Sequence, residues 1–173
     1  MTNIFSRVIF EIVDYYYRLL FLLKVIDMRL STKSRYGTRA LLELALHEEQ
    51  PVLLRDIADR QQLPLSYLEQ LVSPLIAGGI IRSTKGPGGG ISLNRPPENI
   101  KLSDVIRLLE GSIAPVHCID DPDSCDRSDS CVTRDIWAEM KTVLDSYLDS
   151  TTLQDLVQRQ KDKKHPGNDL CEI

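Results

Sequence analysis

The strongest constraint on the fold is an apolar helical stripe followed at once by a glycine-rich hairpin pattern. Within Leu65–Ala77, apolar side chains recur at spacings of three and four residues and so line one face of a helix: Leu68, Leu71, Val72, Leu75 and Ile76. Gly78-Gly79 ends that helix, and two short strand-like runs, Ile80–Lys85 and Ile91–Leu93, flank a glycine-rich segment. The pattern predicts a helix that packs on one side only and leads into a β-hairpin.

Two further helices are predicted before the stripe. The first runs from Ser31 to about His47, with Ser31 or Thr32 able to cap it, and the second runs from Leu54 to Gln61. The second helix is separated from the third only by Gln62-Leu63-Pro64. Two helices joined by a tight turn and followed by a hairpin are typical of a winged helix-turn-helix. We therefore expect a mainly α protein with a small β-hairpin wing that binds double-stranded DNA.

The distribution of charge favours this interpretation more than its total does. The net charge of the 173 residues is -4, but Met28–Lys101 has ten Lys and Arg against seven Asp and Glu, whereas Leu102–Ile173 has eight against fifteen. Arg29, Lys33, Arg35 and Arg39 fall in a stretch without acidic residues. Such a local surplus of positive charge is what neutralisation of DNA phosphates requires.

Candidate DNA contacts lie near the start of the first helix, on the polar face of the third helix and in the hairpin. Short polar side chains near the start of the third helix are suited to base edges; Gln70 can pair with adenine, and Glu69 can accept from cytosine or form a capping box with Ser66. Glycines at a wing tip let backbone amides approach phosphate. The expected contact residues are Arg29, Lys33, Ser66, Tyr67, Glu69, Gln70, Arg82, Lys85, Gly86 and Gly88.

Three of the four cysteines lie within fourteen residues of one aspartate-rich loop: Cys118, Cys125 and Cys131. Their spacing lacks the paired Cys-x-x-Cys pattern of structural zinc sites, and the aspartates do not follow the pattern of a calcium loop. An iron-sulfur cluster tolerates irregular spacing. From the residues alone, a cluster, a zinc ion, a thiol redox switch and free cysteines all remain open. Few, clustered cysteines fit a reducing, cytoplasmic setting.

A long amphipathic helix is predicted beyond the cysteine loop. Its apolar stripe spans more than three turns: Ile136, Met140, Val143, Leu144, Tyr147 and Leu148. The stripe is too long for a small protomer to cover completely, so we expect a dimerisation helix and a homodimer; the alternative is a core helix that packs only within the protomer.

The expected organisation has five parts. Residues 1–27 would be an N-terminal extension, with the native protein starting at Met28. Residues 28–101 would form the DNA-binding domain, 102–132 a linker helix and cysteine loop, 133–160 the dimerisation and terminal helices, and 161–173 a flexible tail. Charges interrupt the apolar runs of the extension, so no membrane-spanning helix and no membrane partner are expected, with an amphipathic helix lying on a membrane or on another protein as the alternative.

Four segments together resemble the iron-sulfur cluster regulator family of winged-helix repressors. They are Met28-Arg29-Leu30-Ser31, Leu65–Leu71, the wing Lys85–Gly90, and the three cysteines before Trp137. The resemblance covers about residues 28–160. It implies a homodimeric repressor with a 2Fe-2S or 4Fe-4S cluster in each subunit, held by Cys118, Cys125 and Cys131.

The chain departs from the family pattern where a fourth cluster ligand is expected. One branch has a histidine three residues after the last cysteine, where this chain has Arg134, and another has an aspartate near the start, where this chain has Arg35. His117, a loop aspartate, Glu43 from the other subunit or a water are the alternatives. A weakly held fourth ligand would suit a sensor of oxygen, nitric oxide or iron.

The rival interpretation is a zinc-stabilised interaction module or cluster carrier that uses the same cysteines. No constellation of nucleophile, base and acid is visible, so we expect no enzyme activity and no small-molecule substrate.

Overall fold

The computed structural model describes residues 30–47 and 50–164. This part of the chain consists of helices and one two-stranded antiparallel sheet. In chain order the elements are α1 (Thr32–Ala45), α2 (Leu54–Gln61), α3 (Leu65–Ala77), β1 (Ile81–Thr84), β2 (Gly90–Leu93), α4 (Leu102–Glu110), the single turn α5 (His117–Asp120), α6 (Val132–Ser150) and α7 (Leu153–Lys164). The predicted mainly α fold with a β-hairpin wing is confirmed.

Local sequence signals explain where the first three helices begin and end. The Ser31 side chain caps α1 by accepting a hydrogen bond from the backbone amide of Lys33 at 3.1 Å. Helix α2 ends where Gln62 takes a left-handed conformation with φ 52° and ψ 51°. This turn brings the amide of Leu63 to 2.8 Å from the carbonyl of Ala58 and allows α3 to start directly after Pro64.

The predicted capping box between Ser66 and Glu69 is wrong. Pro64 occupies the N-cap position of α3 and makes no side-chain capping bond. Ser66 is therefore already the second helical residue, too far along the chain to act as the N-cap that a capping box needs. Glu69 is left without the competing structural role that the sequence suggested.

The wing is a regular antiparallel hairpin fastened to the helical body. Ile81 pairs with Leu93 at its base and Thr84 with Gly90 near its tip. An isolated bridge between Val52 and Ile91 joins β2 to the segment before α2, with both backbone hydrogen bonds at 2.9 Å. The hairpin consequently has a fixed base and a tip that projects outward.

One apolar core unites α1 to α4, the wing and α7. Its largest fully buried apolar side chains come from all of these parts: Leu41, Ile57, Leu68, Ile80, Ile81, Val105, Ile100 and Leu153. Helix α4 therefore belongs to the core instead of acting as a mere linker. Helix α7 also returns to this core through Leu153 and Val157, and a bridge between Lys101 and Thr152 holds its start.

The C-terminal tail prediction is wrong for its first residues. Helix α7 continues to Lys164, since no glycine or proline interrupts it there and Gln158 donates a 2.8 Å hydrogen bond to Asp162 one turn later. The rest of that predicted tail, and the predicted extension at residues 1–27, lie outside the described residues.

Candidate DNA-binding face and cysteine loop

Helix α3 divides into a buried apolar face and an exposed polar face. Leu68, Leu71 and Leu75 are buried in the core. On the other side Ser66, Glu69 and Gln70 are exposed, and within the described residues their side chains make no hydrogen bond. Polar groups that are free and lie near the start of a helix are suited to base edges in a major groove.

Tyr67 differs from the other predicted residues of α3. It is half-buried and packs edge-on against Tyr36 of α1, with ring centroids 5.5 Å apart and an interplanar angle of 79°. This contact fixes the ring between the two helices.

The wing presents positive charge and open glycines together. Arg82 donates through Nε to the hydroxyl of Ser92 at 3.1 Å, and Lys85 is exposed next to the tip. Gly86 and Gly88 have φ angles of 100° and 76°, a region that favours glycine, and a Cβ added at either would meet nothing within 4 Å. The tip is therefore shaped by its glycines and is open to close approach by another molecule.

The cations predicted at the start of α1 are not equivalent. Lys33 is exposed, while Arg35 donates to Thr32 on the same helix. Arg39 is held by the backbone carbonyl and side chain of Gln61 at the end of α2. Arg29 lies outside the described residues. Lys33 thus differs from Arg35 and Arg39, because its side chain makes no hydrogen bond within the described residues.

Glu43, one of the alternatives for the fourth metal ligand, instead accepts hydrogen bonds that join α1 to α2. Its side chain is only 7% exposed, and its two oxygens accept from Arg60 at 3.2 Å and Gln61 at 2.8 Å. His47 lies 3.3 Å from the same carboxylate. A carboxylate buried between these donors joins α1 to α2 and is not available to a metal at a subunit boundary.

The three thiols lie at different points of the loop between α4 and α6. Cys118 is in α5, Cys125 follows a short 3-10 turn, and Cys131 is the N-cap residue of α6. All three are free thiols, with Cys125 exposed and the others half-buried. Among the described residues, no three His, Cys, Asp or Glu side chains converge closely enough to hold a metal ion. Three thiols are suitable ligands for a soft metal centre, but the loop would have to bring them closer together to bind one.

Two side chains to which the sequence analysis assigned no structural role, Arg134 and Ser128, stabilise this loop. Arg134 donates through Nε to the carbonyl of Cys118 at 3.1 Å, and Ser128 donates to the carbonyl of Pro122 at 2.6 Å. Arg134 therefore links the first turn of α6 to the first cysteine. No local pattern signals such a bond, because its partner is a backbone carbonyl sixteen residues away.

The Cys131 thiol is biased toward its ionised form. A hydrogen bond with the Thr133 hydroxyl, 3.2 Å away, lowers the pKa of Cys131, and the backbone amide of Arg134 acts in the same direction. A thiol at the start of a helix gains from the unpaired amides there. This favours the thiolate, which is the form that binds metal.

Helix α6 carries an apolar face that the described part of the protomer does not cover. None of its nineteen residues is buried. Val132, Ile136, Val143 and Tyr147 are all more than half exposed and follow each other at spacings of four, seven and four residues, which places them on one face. The neighbouring Met140, Leu144 and Leu148 are half-buried within the protomer. The apolar side chains of α6 thus form two rows. The inner row is Met140, Leu144 and Leu148, and the outer row is Val132, Ile136, Val143 and Tyr147.

The recognition-type helix on its helix-turn-helix, together with the wing, defines this chain as a winged-helix DNA-binding protein. The family model of the Rrf2 regulators, described as "Iron-dependent Transcriptional regulator", matches residues 30–159. The chain belongs to the Rrf2 family and is a DNA-binding transcriptional regulator, not an enzyme, as the sequence predicted.

Individual relatives agree with this assignment. Protein rrf2 of Nitratidesulfovibrio vulgaris is 44% identical over 76% of this chain and 88% of its own length. The transcriptional regulator IscR of Xenorhabdus nematophila is 40% identical over 78% and 82%. The solved structure of CymR, the global cysteine regulator of Bacillus subtilis, is 39% identical with a TM-score of 0.65, covering 76% of this chain and 97% of that one.

In residues 30–47 and 50–164, no helix combines the length and the apolar character needed to cross a bilayer.

Proposed function

We propose that this protein is a homodimeric transcription repressor whose operator binding is modulated by an iron-sulfur cluster held by Cys118, Cys125 and Cys131. The observation that carries the proposal is the placement of three free thiols on one loop that joins the core helix α4 to helix α6. The iron dependence in the description of the family supports an iron centre. When bound, such a cluster supplies iron-sulfur bonds that respond to oxygen, nitric oxide or iron supply.

The DNA-binding half of the proposal rests on the exposed polar face of α3 and on the wing. Ser66, Tyr67, Glu69 and Gln70 would read bases in the major groove. Arg82, Lys85 and the amides near Gly86 and Gly88 would follow the phosphate backbone, with Lys33 and Arg29 adding charge. The free side chains of α3 and the open wing tip support this division.

The homodimer follows from the outer row of α6. Four large apolar side chains on one face, with no cover in the described part of the protomer, are costly to leave in water. A second copy of the same helix would cover them symmetrically. Two recognition helices would then contact DNA half-sites one helical turn apart.

The fourth ligand of the cluster has fewer candidates than the sequence alone allowed. Glu43 is engaged by Arg60 and Gln61. The guanidinium of Arg134 is positively charged and does not bind metal, and its Nε already donates to the carbonyl of Cys118. His117 next to Cys118, a loop aspartate or a water are the ligands that we propose.

A zinc module is the second candidate, because thiolates are also zinc ligands. The three thiols lie apart in the described structure, so a closed zinc site would also require the loop to bring them together. Anaerobic purification followed by iron, sulfide and zinc analysis separates the two. We expect a coloured protein with iron and sulfide in each subunit, both lost in a Cys118→Ala, Cys125→Ala, Cys131→Ala variant. Colourless protein with stoichiometric zinc would support the second candidate instead.

We place the protein in the cytoplasm, where thiols stay reduced.

A further inference from the structure

The last turn of α4, residues Arg107, Leu108, Leu109 and Glu110, is the segment through which the chain leaves the core for the cysteine loop. We call it the exit turn. Gly111 follows it with a φ of 81°, so the helix stops there and the loop begins. The four side chains of the exit turn reach different elements of the protein.

Glu110 reaches back to the very start of α1. Its Oε1 accepts a hydrogen bond from the backbone amide of Ser31 at 2.6 Å, across a separation of 79 residues. Burial raises the pKa of Glu110, but the polar groups of Ser34 and Ser31 and the charge of Lys33 more than offset it, so the pKa is lowered. A carboxylate at the N-terminus of a helix also interacts favourably with the helix dipole. Glu110 thus fixes the end of α1 that carries Lys33.

The two leucines of the exit turn lie directly on glycines of the DNA-binding helices. A Cβ added to Gly78, which caps the end of α3, would lie 2.5 Å from Leu108 Cδ2. A Cβ added to Gly37 in α1 would lie 2.4 Å from Leu109 Cδ1. A Cβ at either position would force the leucine side chain to move, so the exit turn packs closely on both α1 and α3.

Arg107 connects the exit turn to the other side of the cysteine loop. Its guanidinium lies 3.5 Å from Asp149 and 3.7 Å from Asp145, both on α6. One helical turn therefore contacts the start of α1, its middle, the end of the recognition helix and the dimerisation helix.

We infer that Leu108 and Glu110 are positioning residues that transmit the state of the cysteine loop to the recognition helix and to the start of α1. This inference rests on the proposed function, because it names the residues through which the loop would alter DNA binding. The loop begins one residue after Glu110, so its rearrangement acts first on the Glu110 carboxylate and on the Leu108 contact with Gly78. Positioning residues of this kind do not touch DNA or the metal centre.

The test compares Glu110→Ala with Glu110→Gln, which keeps the acceptor for the Ser31 amide, and with Glu98→Ala, a change at an exposed acid outside the exit turn. Affinity for a duplex selected from a random pool is measured with protein reconstituted anaerobically with iron and sulfide, and with chelator-treated protein. The ratio of the two affinities should be about 5- to 150-fold in the wild type. It should fall to about one in Glu110→Ala and persist in Glu110→Gln and Glu98→Ala.

Leu108→Ala extends the test to α3. We expect it to reduce the affinity ratio while leaving the bound iron and sulfide unchanged. Leu156→Ala, which removes a half-buried leucine packed against the same core from α7, is the matched control and should retain the ratio.

A second readout does not depend on the cluster. Amide hydrogen exchange at Ser31–Arg35 should be faster in chelator-treated Glu110→Ala than in wild type and in Glu98→Ala. A wild-type ratio of one would refute the proposed switch and the inference with it. A wild-type ratio that survives in both Glu110→Ala and Leu108→Ala would overturn the inference alone.

Discussion

The DNA-binding core and the cysteine arm, defined as residues 111–150, differ in how they are held in shape. In the core, apolar side chains from α1 to α4, the wing and α7 interlock, and several are fully buried. In the arm, only Pro115 and Ser128 are buried, and α6 contributes no buried residue. The core is therefore shaped by its own packing, whereas the arm depends on a few polar contacts.

This difference indicates where regulation can act. A packed core has little freedom to respond to a small chemical change, because moving one side chain costs contacts on all sides. An arm without a core can rearrange at low cost when its thiols bind or lose a partner. The DNA-binding residues thus belong to the tightly packed core, and the proposed sensor belongs to the loosely packed cysteine arm.

The largest expected effect contrasts one isoleucine from each half. Ile57 is fully buried in α2, so Ile57→Ala should lower the free energy of unfolding by about 2–5 kcal/mol. Ile136 is 54% exposed, so Ile136→Ala should cost far less within a protomer. Denaturant unfolding at two protein concentrations checks this. Equal losses at both sites would mean that the arm is packed as tightly as the core.

Disruption of the outer row of α6 should have the next largest effect. Val143→Asp introduces a charge into the face that a second copy would cover and should weaken dimerisation by about 2–3 kcal/mol. Sedimentation equilibrium measures the change. Thr142→Asp, an exposed neighbour on another side of the helix, is the control. An unchanged dimer in Val143→Asp would show that this face does not join the subunits.

Two changes in the DNA-binding face should separate base reading from phosphate binding. Gln70→Ala should cost about 1–3 kcal/mol on the preferred duplex and little on random DNA. Lys85→Ala should weaken binding to both and reduce the salt dependence by about one unit. Fluorescence anisotropy at several salt concentrations measures both. The same loss on preferred and random DNA in both variants would contradict the assigned roles.

The smallest effect concerns the cap of α7, where the arm rejoins the core. The Thr152 backbone amide and hydroxyl both bond to Asp155 at 2.8 Å and lower its pKa, and Arg159 adds to this. Because the pKa is depressed in the folded state, this stabilisation is present above the ordinary value of about 4 and is lost as pH falls through the folded pKa.

Asp155→Asn should therefore flatten the loss of stability in acid. The measurement is thermal unfolding as a function of pH. Asp135→Asn, at an exposed acid in the first turn of α6, is the control for the loss of one acidic group. A profile for Asp155→Asn that matched the wild type would exclude this contribution.

Much of the core could be predicted from the sequence, because its signals are local. Helices α2 and α3 have the predicted bounds, since Pro64 and Gly78 punctuate them and their apolar spacing is regular. The predicted capping box failed because Pro64 is the N-cap residue of α3, which leaves Ser66 two residues past the cap position. Local patterns are reliable where one residue determines the backbone.

Contacts between residues far apart in the sequence could not be predicted in this way. Glu110 and Ser31 are separated by 79 residues, and Glu43 gave no sign of being buried between Arg60 and Gln61. The cysteines were identifiable as a group, but their separation along α5, a 3-10 turn and the start of α6 depends on the folded loop. Long-range contacts arise from the packing of elements, which residue spacing does not encode.

The most direct test of the proposed switch compares wild-type protein with the Cys118→Ala, Cys125→Ala, Cys131→Ala variant under anaerobic conditions. Affinity for the selected duplex is measured for each after reconstitution with iron and sulfide and after chelation. We expect the wild-type affinity to change by about tenfold or more between the two states and the variant to have one affinity in both. A wild-type affinity that is the same with and without bound iron and sulfide would contradict the assignment of the cysteine arm as a sensor.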